Sequence, residues 1–581
     1  MKNDLETMRH SLSHIMAAAV TKLFKDVKLG IGPATDNGFY YDFDIKNKSI
    51  SVEDFKTIEK EMNKIIKEKL DFIHEEKTYD EAVKWAEDNN QPYKLELIKE
   101  LKDKNEPINF YTCGNFTDLC AGPHVKNTGE VGAYKLLRAA GAYWRGDEKN
   151  PQLQRIYGVA FDKKEELNDY LLQLAEAEKR DHRKIGKELD LYTMSELVGP
   201  GLPLFTPRGT ILRKEILKLS EELEKSIGYQ ETWCPHMTRI ELYKVSGHYE
   251  KYPERFDVSS AESDDKFMLK PMNCPHHTQI FASKPRSYRD MPVRYMESTT
   301  MYRDEKSGEL HGLSRVRSLT QDDSHAFVRH SQIETEIANI ISIVKKIYKI
   351  LDMPLSVDLS FRDESDNYFG DKKLWQDAQD TLEKIAKKEK LDYKIEFGEA
   401  AFYGPKIDIH VTDAIGRRWQ CATIQLDYVM PERFKLEYID EEGKAQRPAM
   451  IHKAILGSIE RFLSVYIEHT AGKFPVWCSP EQIRIIKVKD DPKIDKFCDD
   501  LVKVMNKNKI RVQLDDNKNS VGKKIRSAEV AKVPYSVVIG EKEIENPMLS
   551  LRVRSDLGKS IELSVEDLVK KIVDESKNRS K

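Results

Sequence analysis

M-Y-R-D-E-K-S-G-E-L-H-G-L-S-R-V-R-S-L-T-Q-D-D-S-H, residues Met301 to His325, is the stretch on which the fold turns. It predicts a strand, a glycine-bearing loop and a returning strand, with Arg303, Glu305 and Arg315 facing one site. Arginine forks are planar, always charged and bidentate, so they suit phosphate oxygens. The segment closes on Gln321, Asp323 and His325, residue types that can hold a small polar ligand or a metal. A phosphate clamp joined to a small-molecule pocket points to nucleotide-dependent ligation chemistry.

Outward from that segment, 581 residues exceed what one core can organise and predict about three domains. A hydrophobic content of 39% with 33% charged residues fits a globular protein in water. The net charge of -3 gives no global basic field, although a local basic face is enough to bind nucleic acid. The seven cysteines include no CxxC pair, which predicts a reducing, cytoplasmic compartment. Asp4 and Glu6, followed by a short apolar run at 15–20, exclude a signal peptide or a membrane span at the start.

Residues 5–24 read as an amphipathic helix, and 51–70 as a second with Ser51 and Asp54 at capping-box spacing. Frequent glycines between 108 and 145 predict an α+β domain of short strands. Residues 163–190 form a long charged helical run, read as a solvated connector. Pro207 opens and Gly228 closes a helix over 209–227. Alternation at 266–269, 293–303, 315–321, 406–412 and 418–426 predicts antiparallel strands, and 451–468 reads as a largely buried helix. That makes the middle domain an antiparallel sheet flanked by helices. From Ser479, strands at 483–488, 511–514 and 536–539 alternate with helices at 493–506 and 522–531, a small C-terminal α/β domain. Its net charge of roughly +5 fits a polyanion partner, and equally a solvated basic face. The chain is thus multidomain α+β and α/β, divided as 1–162, a helical linker 163–188, 189–477 and 478–581.

Three elements of the middle domain fit together: the segment ending Trp233-Cys234-Pro235, the segment with Arg303, Glu305 and Arg315, and the run from Gly457 to Phe462. Singly, Gly457 could be a packing glycine and Arg461 a surface arginine. In this order they resemble the three signature motifs of class II aminoacyl-tRNA synthetases. Six words narrow the resemblance to the threonyl-tRNA synthetase family: M-N-C-P (272–275), R-D-E-K-S-G-E-L-H-G (303–312), T-Q-D-D-S-H (320–325), Y-G-P-K-I-D (403–408), W-Q-C-A-T-I-Q-L-D (419–427) and H-K-A-I-L-G-S-I-E-R-F (452–462). The resemblance as a whole covers nearly the entire chain.

The resemblance implies a zinc ion held by Cys274, His325 and His452, which spacing alone would not join. Two imidazoles and a thiolate leave a fourth position open. Threonine and valine are isosteres that an apolar pocket separates by only about a hundredfold. The family's answer is a zinc that takes the amino group and hydroxyl of threonine, with Asp323 accepting from the hydroxyl and Gln321, Tyr403 and Gln420 lining the pocket. By the same resemblance Arg303 meets the α-phosphate of ATP, Glu305 positions ATP, Arg315 reaches the polyphosphate and Arg461 the γ-phosphate. Gln420 and Lys406 then sit near the adenylate, and Mg2+ accompanies ATP. His248, in V-S-G-H-Y, matches a histidine implicated as proton acceptor in transfer to tRNA(Thr).

His10 and His14 lie four apart, on one face of a helix, and Cys120 and His124 flank a turn. A tetrahedral zinc site is one reading; two surface histidines and an unrelated cysteine are the other. The pairing of HxxxH with D-L-C-x-G-P-H resembles the editing domain shared by threonyl- and alanyl-tRNA synthetases. In the threonyl branch that site is hydrolytic without an obligatory metal, and it adds Lys94 and Asp118. Editing is needed because serine lacks only a methyl group, worth ~1–3 kcal/mol. The third domain resembles the class IIa anticodon-binding domain, with Glu543 and Arg552 where anticodon bases are contacted. Its D-D-N-K-N-S-V-G-K-K-I-R (515–526) departs from the usual wording. So do His276, in place of a frequent glycine and expected to face away from the metal, and the start near His10, where the family commonly carries a ubiquitin-like domain. The helix over 209–227 with the strand to Pro235 resembles the family's dimer element and implies a homodimer. Two alternatives are a non-catalytic paralogue and a synthetase for alanine, proline or serine. The phosphate arginines, the ligand trio and Asp323 argue against both.

Overall fold

The computed structural model describes residues 2–46, 48–546 and 548–580. The chain forms two compact units, Met1–Ala175 and Glu176–Lys581.

The first unit opens on helix α1 (Lys2–Leu23). Residues 11–20 of α1 are buried at every position, so the helix is enclosed rather than amphipathic over that stretch. It packs on strand β1 (Gly38–Asp44) and helix α2 (Val52–Glu68). The carboxylate of Asp54 accepts the Ser51 N–H at 2.9 Å, which fixes the start of α2. Strand β2 (Phe72–Glu76), helix α3 (Pro92–Asp103) and strands β3 (Asn109–Cys113) and β4 (Phe116–Leu119) follow, with β2, β3 and β4 in one antiparallel sheet. Strands β5 (Ala133–Tyr143) and β6 (Gln152–Phe161) pair with each other, and β6 pairs with β1. At 11 and 10 residues they are longer than the glycine-rich sequence predicts. Their glycines serve close contacts between strands rather than turns.

The charged run over 163–190 is not one connector helix. It is helix α4 (Lys164–Arg180) and helix α5 (His182–Glu188), broken at Asp181. The Asp181 carboxylate accepts the Arg183 N–H at 2.8 Å and restarts the helix. His182, Ile185 and Gly186 on α5 are buried, so its inner face joins a core.

The second unit is built on helix α6 (Pro207–Ser226) and an eight-stranded sheet. Pro207 takes the first turn of α6, and the Thr206 hydroxyl accepts the Gly209 N–H at 3.2 Å. In chain order come β7 (Gln230–Glu231), helix α7 (Cys274–Ala282), β8 (Val293–Tyr302), β9 (Ser318–Val328), helix α8 (Ile333–Ile350), β10 (Leu355–Phe361), helix α9 (Lys372–Lys388), β11 (Tyr393–Phe397), β12 (Lys406–Thr412), β13 (Arg418–Asp427), β14 (Ala449–Ala454) and helix α10 (Ile459–Thr470). The spatial order is β7-β8-β9-β14-β13-β12-β10-β11, antiparallel except for the pairs at either edge. Residues 451–456, expected in a helix, are strand β14 and the bend after it, and α10 begins only at Ile459. Every side chain of β14 is buried, so no alternation marked it as a strand.

Period two divides the sheet into two faces. Ile407, Ile409, Val411, Ala422, Ile424, Leu426, Ala326 and Val328 enter the main core with α8, α9 and α10. Cys274, Tyr295, Phe327, Tyr403 and Met450 form a second cluster. The C-terminal part is a five-stranded sheet, β15 (Ile483–Lys487), β16 (Val512–Asp515), β17 (Tyr535–Ile539), β18 (Met548–Val553) and β19 (Ile561–Ser564), in the order β16-β15-β17-β18-β19. Among the described residues no helix is long and apolar enough to cross a membrane.

Candidate active site

Strand register creates the metal cradle. His325 on β9 lies directly opposite His452 on β14, and their rings meet edge-on with centroids 4.8 Å apart. Opposed residues on adjacent antiparallel strands bring their side chains together however far apart they lie in sequence. Cys274 enters from the first turn of α7, and candidate ligand atoms of the three lie within 4.8 Å of one another. All three residues are buried. The site passes a chemical test for zinc. His325 Nε2 is buried without a hydrogen-bond partner, and the donors are one thiol and two imidazoles. His452 Nε2 lies 2.8 Å from Asp427 Oδ2, which leaves Nδ1 for a metal. Burial pushes the Cys274 thiol well above its usual value, a cost that a bound cation removes.

A cavity of about 410 Å³ opens onto the cradle, lined by Asp323, Gln321, Tyr403, Gln420, Gln425 and Arg303 among others. Tyr403 stacks on His452 with centroids 4.9 Å apart and donates from its hydroxyl to Gln425 Oε1 at 2.5 Å. Burial first, then the charges of Glu297 and Asp322, pushes the Asp323 carboxyl up to about 7. A second cavity of about 310 Å³ adjoins the first and is lined by Glu305, Arg315, Gly457, Ser458 and Arg461. Arg303, Gln321, Gln420 and Thr423 line both, so the two form one cleft with Arg303 at the junction. Arg315 is half exposed and meets Glu309 at 2.9 Å and Glu305 at 3.6 Å.

Lys406 lines neither cavity. Its ammonium pairs at 2.5 Å with Asp408, whose other oxygen accepts from Gln420 Nε2 at 2.7 Å and the Thr423 hydroxyl at 3.0 Å. Asp408 therefore sets Gln420 and Thr423, a role that sequence reasoning missed along with Asp427's hold on His452. Gly457 has φ +68°, and a Cβ there would sit 2.7 Å from the Cys421 carbonyl oxygen. Its glycine is thus required by the backbone turn into α10. His248 is buried, with Nε2 3.8 Å from Cys274 Sγ and Nδ1 2.8 Å from the Ser246 hydroxyl, and it lines neither cavity. His276 is outside the ligand group, buried with its ring edge-on to Tyr243.

In the first unit, α1 brings His10 and His14 to Cys120 and His124, with ligand atoms within 4.8 Å of one another. Cys120 Sγ lies 3.2 Å from His10 Nε2 and 3.3 Å from His124 Nε2. Beneath them Lys94 pairs with Asp118 at 2.7 Å, and the Tyr41 hydroxyl donates to Asp118. Burial pushes the Cys120 thiol up to about 11 and holds His10, His14 and His124 below the usual imidazole range. A neutral cluster results, open to a cavity of about 380 Å³ lined by Thr7, His10, Ala34 and Pro123. Glu543 and Arg552 are not brought together. Arg552 pairs across from Ser536 near the start of β17, and Glu543 follows its far end, roughly 13 Å along the strand.

Comparison with known proteins places the chain among characterised families. Residues 243–470 match the tRNA synthetase class II core domain (G, H, P, S and T). Residues 482–575 match the anticodon binding domain, and 108–157 the threonyl and alanyl tRNA synthetase second additional domain. A threonine–tRNA ligase of Acetivibrio thermocellus is 47% identical over 574 residues, 99% of this chain and 89% of that one. One from Caldanaerobacter subterraneus is 47% identical over 566 residues, 97% of this chain and 86% of that one. The crystal structure of the RNA binding domain of threonyl-tRNA synthetase from Cryptosporidium parvum superposes with TM-score 0.65 at 34% identity, covering 68% of this chain and 98% of that one. A prolyl-tRNA synthetase of the same organism, 19% identical with TM-score 0.54 over 68% of this chain and 76% of that one, shares the fold.

Proposed function

Because the chain belongs to the threonyl-tRNA synthetase family, we propose that its two-part cleft performs the family's reaction with the residues described above. The enzyme is a class II threonine–tRNA ligase that uses ATP with Mg2+ and carries an editing domain for mischarged tRNA(Thr). The observation that carries the site assignment is the junction. Arg303 lines both the cavity over Cys274, His325 and His452 and the cavity with Arg315 and Arg461.

The threonine carboxylate attacks the α-phosphorus of ATP. A P–O bond forms, pyrophosphate leaves with the bonding pair, and threonyl-adenylate remains. The carboxylate is already ionised, so no base is needed. Arg303 at the junction is placed to stabilise the charge that develops on the α-phosphoryl oxygens. Arg315 and Arg461 hold the remaining phosphates, Glu305 helps to position ATP, and Gln420, set by Asp408, faces the adenylate. In the second step a hydroxyl of the terminal ribose attacks the threonyl carbonyl and AMP leaves. That hydroxyl proton needs an acceptor, and His248 is proposed for it. Cys274, His325 and His452 would hold a zinc ion, whose open Lewis-acidic position can take a hydroxyl that valine lacks. Asp323 and Tyr403 shape the pocket beside it.

In the first unit, His10, His14, Cys120, His124, Lys94 and Asp118 are proposed to hydrolyse seryl-tRNA(Thr). Glu543 and Arg552 are proposed to meet the anticodon separately. The division into editing (1–162), linker (163–188), catalytic (189–477) and anticodon-binding (478–581) parts is likewise proposed. So are a homodimer, supported by Trp233 at 76% exposure just after β7, and a cytoplasmic location, supported by seven free cysteines. Metal analysis and charging of tRNA(Thr) test the site. About one zinc per chain and threonine charging that Arg303→Ala abolishes are expected; zinc-free protein that still charges threonine would overturn the assignment.

A further inference from the structure

His277 is fully buried, follows the ligand Cys274 by three residues on α7, and has no role in the reading above. Its Nδ1 lies 2.8 Å from His325 Nδ1, and the two rings meet edge-on with centroids 4.8 Å apart. Between two imidazole nitrogens at that distance, one must carry the proton and the other must accept it. His325 Nε2 is the buried atom without a hydrogen-bond partner, so it is the one free for a metal. A neutral imidazole that ligates through Nε2 carries its proton on Nδ1. His325 therefore donates and His277 Nδ1 accepts, which leaves the His277 proton on Nε2. That nitrogen has two acceptors. Thr232 Oγ1 lies 3.1 Å away and donates its own proton to the Met296 carbonyl, and Glu297 Oε2 lies 3.4 Å away. Asn273 Nδ2, 3.2 Å from the same nitrogen, donates to Glu297 Oε2 at 2.8 Å. Glu297 is fixed in turn by the Cys234 N–H at 3.0 Å.

We propose that His277 is a positioning residue for the zinc ligand His325, fixing its tautomer and ring orientation through an imidazole–imidazole hydrogen bond braced by Glu297 and Thr232. The inference rests on the zinc reading of Cys274, His325 and His452. The same Cys234, His277 and Glu297 could be taken for a second metal site. Lys270 Nζ, 3.7 Å from Glu297, already supplies the cation there. A metal ligand's outer partner contributes about 10–100-fold in metal affinity.

Zinc affinity, measured by competition with a chromogenic chelator on the full-length protein, tests this without recourse to activity. His277→Leu keeps bulk and removes the acceptor, and should weaken zinc binding by about 10–100-fold. His277→Asn places Oδ1 near the position of Nδ1 and should recover most of the affinity. His277→Gln places its acceptor near Nε2 instead and should behave like the His277→Leu variant. The Asn and Gln variants decide the matter even if the Leu variant does not fold. Equal zinc affinity for the Asn and Gln variants, or undiminished affinity in a folded Leu variant, would overturn the proposal. Wild-type protein that binds no zinc would overturn the metal reading itself, a separate result.

Discussion

Asp322 and Asp323 are neighbours in sequence and serve opposite faces of β9. Asp323 faces the cleft, whereas Asp322 is buried on the helix side. Its carboxylate accepts from the Ser220 hydroxyl at 2.9 Å and from the amides of Ile455, Leu456 and Gly457 at 3.1, 3.0 and 3.1 Å. Asp322 thereby clamps the bend that carries Gly457 and leads to Arg461. Asp322→Ala leaves three amides unpaired, and a buried unsatisfied group costs about 1–3 kcal/mol. We expect a lower unfolding midpoint and a KM for ATP raised about tenfold, a change of about 1.4 kcal/mol, with a smaller change in KM for threonine. Equal shifts in both KM values would count against a local clamp. His248→Ala should slow single-turnover transfer to tRNA about 100-fold more than pyrophosphate exchange. Equal slowing of both steps would instead tie His248 to Cys274, its neighbour. Asp322, Asp408, Asp427 and His277 had no legible role in the sequence. What each holds is set by register and packing, and residue type alone cannot supply that.

Helix α5 ties the motif loop to the rest of the second unit. His182 Nδ1 lies 2.6 Å from Glu468 on α10, and the Leu313 amide donates to His182 Nε2 at 3.1 Å. Gly312 beside it has φ +51°, and a Cβ there would sit 2.2 Å from His182 Nε2. The loop between β8 and β9, which carries Glu305 and Arg315, is thus pinned at its far end by α5 and α10. His182→Phe keeps a ring and loses both contacts. We expect KM for ATP to rise about 3–10-fold, or ~0.7–1.4 kcal/mol, with zinc content unchanged; an unchanged KM would show the loop is held elsewhere. At this scale the sequence was legible where a cap or alternation announced an element, as at Ser51, Pro207 and 406–426. It misled at 451–456, where a strand buried on both faces reads like a buried helix. It misled again at 163–190, where Asp181 is an N-cap hidden in a charged run. The His10/His14 pair was visible as helix spacing, but its meeting with Cys120 and His124 depended on tertiary packing.

Across the whole molecule, the proposed editing cluster and the candidate metal cradle belong to different compact units, Met1–Ala175 and Glu176–Lys581. The two activities should therefore separate chemically. Stripping zinc with a chelator should abolish threonine activation and leave seryl-tRNA hydrolysis within about twofold, less than 0.5 kcal/mol. Hydrolysis that falls with the metal would show that His10, His14, Cys120 and His124 hold one too. Conversely His10→Ala should remove seryl-tRNA hydrolysis and spare activation. The central claim is that a metal-read hydroxyl selects the amino acid while a second site corrects serine. ATP–pyrophosphate exchange on zinc-loaded protein tests it most directly. Strong exchange with threonine, weaker with serine and almost none with valine is the predicted result. Comparable exchange with valine and threonine would contradict it.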